Sequence, residues 1–209
     1  MEAVVNPRDI HAVLFDMDGT LVDSDAAVER AWTTWAGEYG VDAAAVLAVA
    51  HGSPAESVVA RILPGLDPTI RAIAAGRQHE LQYDDLSDVV PTAGAHELLD
   101  LLEQRGLPWA VVTSADQRLA TARLGATGIE PKVLVTIEDI AHGKPHPEGY
   151  LRGAELLGVP TAQCLVVEDA EVGLQAGKAA GAYTAALKGL DGDLKLADLG
   201  QLAAFLAQP

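Results

Sequence analysis

One cysteine, Cys164, occurs in 209 residues. A single thiol cannot form an intrachain disulfide, and cysteine-rich zinc sites are excluded with it. A reducing compartment fits such a chain. Aromatic residues make up only 4%, so the core must be built from Ala, Val, Leu and Ile. No run reaches the roughly 18 apolar residues of a membrane-spanning helix. Positive charge is scarce too: 14 Lys and Arg stand against 30 Asp and Glu, for a net charge of −16. A surface that negative repels phosphate backbones and anionic lipid, so neither nucleic acid nor membrane is expected as a partner. An anionic substrate could be handled only where a metal ion or a placed lysine overcomes that field. The segment Met1 to His11 is charged, contains Pro7 and lacks an apolar signal-peptide core, which predicts a cytoplasmic location.

The composition is that of a folded chain, with 49% hydrophobic and 21% charged residues. Its length allows one or two domains and burial of roughly 70% of the unfolded surface. Short apolar runs bounded by turn residues recur at Ala12–Phe15, Trp109–Val112, Val133–Ile137, Cys164–Val167 and Ala182–Leu187. Such runs read as strands buried on both faces. Amphipathic helical patterns at Ala95–Gln104, Gln117–Leu124 and Gly149–Leu157 alternate with them. The prediction is an α/β fold, a doubly wound parallel sheet with helices on both faces. Between Val22 and Val89 no strand is evident. Helices are predicted instead at Ala26–Tyr39, Ala43–Ala50, Pro54–Leu63 and Pro68–Tyr83. The expected organisation is therefore a core of residues 1–21 and 90–209 and an inserted helical domain of residues 22–89.

Polar residues follow the apolar strands: Asp16 and Asp18, then Thr113-Ser114, then Lys144, then Glu168-Asp169. In an open parallel sheet the carboxyl ends of the strands share one edge, and ligands bind there. Four carboxylates against one lysine repel one another. A solvated acidic rim is one outcome. A divalent cation is the other, and oxygen-only donors suit Mg²⁺. Asp16 and Asp18 are spaced to share a face if the strand continues. One carboxylate could attack phosphorus while the other donates and then accepts a proton. The Ser114 hydroxyl, the Lys144 ammonium and main-chain amides after the strands, at Met17 and Ala115, could hold phosphoryl oxygens. This set suits phosphoryl transfer.

The stretch Phe15-Asp16-Met17-Asp18-Gly19-Thr20-Leu21-Val22-Asp23-Ser24 resembles the first signature of the haloacid dehalogenase superfamily in its phosphatase form. Val111-Val112-Thr113-Ser114 resembles the second, Gly143-Lys144-Pro145-His146-Pro147 the third, and Val166-Val167-Glu168-Asp169 with Gly173 and Ala176-Gly177 the fourth. All four stand in order across nearly the whole chain. The helical insertion resembles the cap of the β-phosphoglucomutase-like subgroup. Within it, the chain is similar to bacterial sugar phosphatases and to fungal phosphatases of 2-deoxyglucose 6-phosphate and glycerol phosphate. The resemblance implies Asp16 as nucleophile and Asp18 as general acid/base. It implies Mg²⁺ held by Asp16, Asp169 and the Asp18 carbonyl, with Glu168 close by. Ser114 and Lys144 would bind the phosphoryl group of a small sugar or polyol phosphate, and the enzyme is expected to be a monomer.

Two departures separate the chain from phosphomutases. The position near Val28, where mutases carry a cap histidine, is apolar, and His51-Gly52-Ser53-Pro54-Ala55 lacks their cap arginine. Water is then the final acceptor. A sugar phosphomutase and a non-catalytic phospho-acceptor module stay as alternatives. His51 is a candidate substrate contact. Gly173-Leu174-Gln175-Ala176-Gly177-Lys178-Ala179 has the wrong spacing for a phosphate loop and reads as a helix packed on the sheet. His142 and His146 read as part of the loop around Lys144 rather than a zinc pair. Glu29 and Arg30 are expected on a helix surface, Trp32 and Trp35 in the helical core, and Cys164 as a small packed hydrophobe.

Overall fold

The computed structural model describes residues 5–50, 54–83 and 85–208. Residues 24–89 form one compact unit, and the rest of the described chain forms the other. His51 lies outside the described residues.

The larger unit is built on a parallel sheet of six strands. These are β1 (Ala12–Phe15), β4 (Trp109–Val112), β5 (Leu134–Val135), β6 (Cys164–Glu168), β7 (Tyr183–Ala186) and β8 (Leu194–Lys195), in the order β5-β4-β1-β6-β7-β8. β2 (Val22–Asp23) and β3 (Val90–Pro91) form a separate antiparallel pair. β1 and β6 are buried along their whole length, as strands covered on both faces are, and apart from Glu168 at the end of β6 they are apolar. β1 pairs with β4 on one side and β6 on the other, so Phe15 stands beside both Val111 and Val167. The chain first winds outward through β4 and β5, then crosses back to β6. That reversal opens a crevice at the carboxyl end of β1.

Helices α5 (Ala95–Arg105), α6 (Gln117–Ala126), α7 (Glu148–Leu157), α8 (Glu171–Ala179) and α9 (Leu199–Leu206) complete this unit. Two of them start on a side-chain cap. The Asp116 carboxylate caps α6 by accepting from the Leu119 amide at 2.8 Å, and Asp198 caps α9 through the Gln201 amide at 2.9 Å. The segment 173–179 lies within α8, which packs on β6 and β7. Cys164 opens β6 and is fully buried.

Several elements depart from the expectations. β5 is two residues long rather than the five of Val133–Ile137. Thr136 leaves the ladder to cap a 3₁₀ turn, its amide and hydroxyl donating to Asp139 Oδ2 at 2.8 and 2.9 Å. β2, β3, β8 and α9 were not anticipated. The three strands have only two residues each, too few to show a period.

The smaller unit contains α1 (Asp25–Tyr39), α2 (Ala43–Ala50), α3 (Ala55–Ile62) and α4 (Pro68–Leu81). Trp32 and Trp35 are 2% and 0% exposed, as expected of core residues. Trp35 stacks on Tyr39 with centroids 4.5 Å apart and donates its indole N–H to the Ala74 carbonyl at 2.8 Å. Val28 packs against this core. Arg30, half-exposed, pairs with Asp88 and donates to the Asp85 carbonyl at 2.7 Å. Among the described residues, no helix is long and apolar enough to cross a membrane.

Candidate active site

β1 stops at Phe15, so Asp16 and Asp18 do not share the face of a continuing strand. The chain instead curls into a turn. The Leu21 and Val22 amides both donate to the Met17 carbonyl at 2.9 Å, and the Gly19 amide donates to the Val22 carbonyl at 2.7 Å. Gly19 has φ +80°, and a Cβ there would stand 2.0 Å from Asp169 Oδ2. Glycine is thus required twice, by conformation and by space. The Met17 side chain is fully buried beneath the turn.

Lys144 reaches this point from the loop before α7. Its Nζ donates to Asp16 Oδ1, to the Val112 carbonyl at 3.1 Å and to Glu168 Oε1 at 2.7 Å. One ammonium therefore ties together the ends of β1, β4 and β6. The same Glu168 oxygen accepts the Tyr150 hydroxyl proton at 2.5 Å. Lys188 Nζ lies 3.0 Å from Asp169 Oδ2. Glu168 is 1% exposed, and Gly173 leaves room for it: a Cβ at 173 would stand 1.8 Å from Glu168 Oε1. Gly173→Ala should displace the Glu168 carboxylate and cost about 1–3 kcal/mol of stability. Thermal melting and turnover should fall together in that variant, and unchanged values of both would refute the tight fit.

The electrostatics follow from burial. Desolvation pushes the Asp16 carboxyl well above its ordinary range, Lys144 pulls it down, and the Glu168 and Asp169 charges push it up again. Burial alone would lower Lys144, but the facing Asp16 and Glu168 carboxylates more than reverse this and hold it protonated. Asp169 is also raised by burial, against the pull of Lys188. Tyr150 is raised by burial and by Glu168, which keeps its hydroxyl a proton donor. Asp16, Glu168 and Asp169 each offer an oxygen, all within 4.8 Å of one another. This buried donor set is hard, oxygen-only and short of positive charge. It fits Mg²⁺.

The other candidate residues sit around this centre. Ser114 is exposed in the turn after β4. The neighbouring Ala115 amide donates to Thr113 Oγ1 at 3.0 Å, which engages it within the turn. Asp18 Oδ1 accepts from Arg123 Nη1 at 2.7 Å. His142 and His146 lie with rings 4.6 Å apart beside Glu148. The Glu148 carboxylate already accepts the Ala141 and His142 amides at 2.8 and 3.0 Å. It also stands in the first turn of α7, where the helix dipole opposes a cation. This cluster clamps the loop that carries Lys144.

Three residues at the site were missed from sequence: Arg123, Tyr150 and Lys188. Arg123 left a signal, a charged residue in register with Leu119, Ala120 and Leu124 on the buried face of α6. Tyr150 and Lys188 left none that chain position alone could reveal.

An aspartate-bearing turn after the first strand thus meets one lysine and two acids from later segments of the chain. The description "haloacid dehalogenase-like hydrolase" matches residues 10–181. Hexitol phosphatase A of Escherichia coli is 41% identical over 175 residues, covering 83% of this chain and 81% of that protein. 2-Deoxyglucose-6-phosphate phosphatase 1 of Saccharomyces cerevisiae is 38% identical over 190 residues, covering 82% and 77%. Among solved structures, β-phosphoglucomutase from Clostridium difficile superposes with a TM-score of 0.79 at 20% identity, covering 92% of this chain and 93% of that one. This chain belongs to the haloacid dehalogenase-like hydrolase family.

Proposed function

We propose that the protein is a Mg²⁺-dependent phosphatase that hydrolyses a small sugar or polyol phosphate through a phospho-aspartate at Asp16. The observation that carries this reading is the convergence of Asp16, Lys144, Glu168 and Asp169 at the carboxyl edge of the sheet. The sugar and polyol phosphatases among its relatives support the substrate class.

In the first step an Asp16 oxygen attacks phosphorus and forms the acyl phosphate. The bond from phosphorus to the bridging oxygen breaks, and Asp18 gives that oxygen its proton, so the alcohol leaves neutral. In the second step the Asp18 carboxylate takes a proton from water while the water oxygen attacks phosphorus. The bond to Asp16 breaks, inorganic phosphate leaves, and both aspartates return to their starting forms. Lys144 neutralises phosphoryl charge, and the Ser114 hydroxyl and the Met17 amide hold phosphoryl oxygens. Ala115 takes part once its amide is released from Thr113. Asp16, Asp169 and the Asp18 carbonyl would hold Mg²⁺, which supplies charge neutralisation at the phosphoryl oxygens. Glu168, engaged by Lys144 and Tyr150, orients the lysine and stands in reserve as a ligand. The helical unit, acting as a cap, selects the substrate. By resemblance, the position near Val28 is where mutases carry a cap histidine; an apolar residue there cannot relay a proton to a second hydroxyl, which favours water as acceptor.

The test is phosphate release from a panel of hexitol phosphates, 2-deoxyglucose 6-phosphate, fructose 1-phosphate and glycerol phosphate. Turnover with Mg²⁺ should fall by roughly 100-fold or more when EDTA removes the metal, a loss in the range expected when charge stabilisation is removed. No phosphate from any member of the panel, or full activity in EDTA, would sink the proposal.

A further inference from the structure

We infer that Arg123 is a positioning residue that fixes the carboxyl of Asp18 for proton transfer, an inference that rests on the acid/base role proposed above. The two residues are 105 positions apart, and Arg123 Nη1 lies 2.7 Å from Asp18 Oδ1. The Arg123 side chain is 3% exposed and that of Asp18 31%. The arginine therefore stands in the interior and reaches outward to a carboxylate at the site edge.

The placement is costly unless the charge is used. Arg123 shares the buried face of α6 with Leu119, Ala120 and Leu124. A leucine or methionine would fill that space with no desolvation penalty, whereas a buried guanidinium is unfavourable until its partners offset the loss of water. Asp18, for its part, hangs on the turn that Gly19 makes possible at φ +80°. A carboxylate on such a turn has several rotamers, and only some aim at the bridging oxygen. A charge-assisted hydrogen bond to Oδ1 removes that freedom. The transferred proton then travels on Oδ2, to the leaving oxygen in the first step and from water in the second. Arg123 touches no reacting atom in this account. It acts through Asp18, and the family signature motifs do not include it.

The experiment compares the native protein with R123M, R123K, D18N and R123M/D18N on two substrates. One is the best alkyl phosphate of the panel, whose leaving oxygen needs a proton. The other is p-nitrophenyl phosphate, whose nitrophenolate departs without one. In R123M, kcat on the alkyl phosphate should fall roughly 10- to 100-fold, within the range of lost general acid–base catalysis, with KM little changed. First-turnover release of nitrophenolate, read by stopped flow, should hardly move. R123K should recover part of the lost kcat. In the D18N background R123M should add almost nothing, because the pair acts as a unit. Equal losses on both substrates, additive losses in the double variant, or native kcat in R123M would each overturn the inference. Should R123M be too unstable to assay, R123K read on the same two substrates carries the test. Native turnover by D18N would instead overturn the acid/base assignment itself.

Discussion

Asp16→Asn should abolish phosphate release, by about 10⁴-fold or more, while leaving the protein at least as stable as the native chain when no divalent ion is present. The activity loss follows from nucleophilicity: an amide oxygen offers phosphorus no anionic lone pair and cannot form the acyl phosphate. The stability gain follows from where Asp16 sits. It is buried, and the Glu168 and Asp169 carboxylates beside it raise its pKa against the pull of Lys144. A carboxyl raised in the folded state stays protonated there after the unfolded chain has released its proton, so it erodes stability as pH rises past its unfolded value of about 4. Asparagine carries no such charge. In EDTA, the melting temperature of the variant relative to the native protein should therefore climb between acid and neutral pH. Adding Mg²⁺ should raise the melting temperature of the native protein more than that of the variant. Acid-quenched native enzyme should carry labelled phosphate that the variant lacks. A variant that turns over normally would eliminate Asp16 as nucleophile. A variant equally inactive but grossly unfolded would show that the residue serves the fold.

Much of the architecture was legible because burial writes itself into short apolar runs. Ala12–Phe15 and Cys164–Glu168 contain almost nothing that could face water, and both became central strands. The helical insertion was equally legible from periodicity and from turn residues such as Gly40, which ends α1 in a left-handed conformation at φ 65°. What stayed hidden has physical causes. The β2–β3 ribbon is held by two residue pairs, Val22 with Pro91 and Asp23 with Val90, and depends on partners far away in sequence. β8 exists because Thr184 and Asp193 exchange hydrogen bonds across nine residues, which no local pattern foretells. At the site, strand-end carboxylates and Lys144 could be read from position. The course of the chain after Phe15 could not. It depends on the Met17 carbonyl gathering the amides of Leu21 and Val22, a turn that carries Asp18 away from the strand and towards Arg123.

Lys144→Met should damage both fold and catalysis, and pH separates the two effects. The lysine is the cation between two buried carboxylates, with side-chain exposures of 10% for Lys144, 12% for Asp16 and 1% for Glu168. Removing one partner of a buried ion pair costs about 3–5 kcal/mol, because the remaining charge loses its compensation. For a chain of this size that corresponds to a melting temperature lower by roughly 6–20 °C. The native lysine is raised by its two carboxylates, so its contribution is fully present below the unfolded value of about 10.4 and fades only above it. The neutral range therefore reads the whole effect. In the variant, Asp16 has lost the one group that pulled its pKa down, and it regains neutrality by taking up a proton as pH falls. The melting-temperature gap between native and variant should thus narrow from pH 8 towards pH 5. Turnover should not recover along with stability. The phosphoryl group has lost a fixed positive charge, for which about 10²- to 10³-fold in kcat is expected. Saturating Mg²⁺ should restore part of the melting temperature and little of the rate, since a cation among Asp16, Glu168 and Asp169 can relieve their repulsion without replacing a donor at the position of Nζ. A melting temperature that is unchanged at neutral pH, or a gap that widens in acid, would contradict the assignment of Lys144 as the charge that holds the three strand ends together.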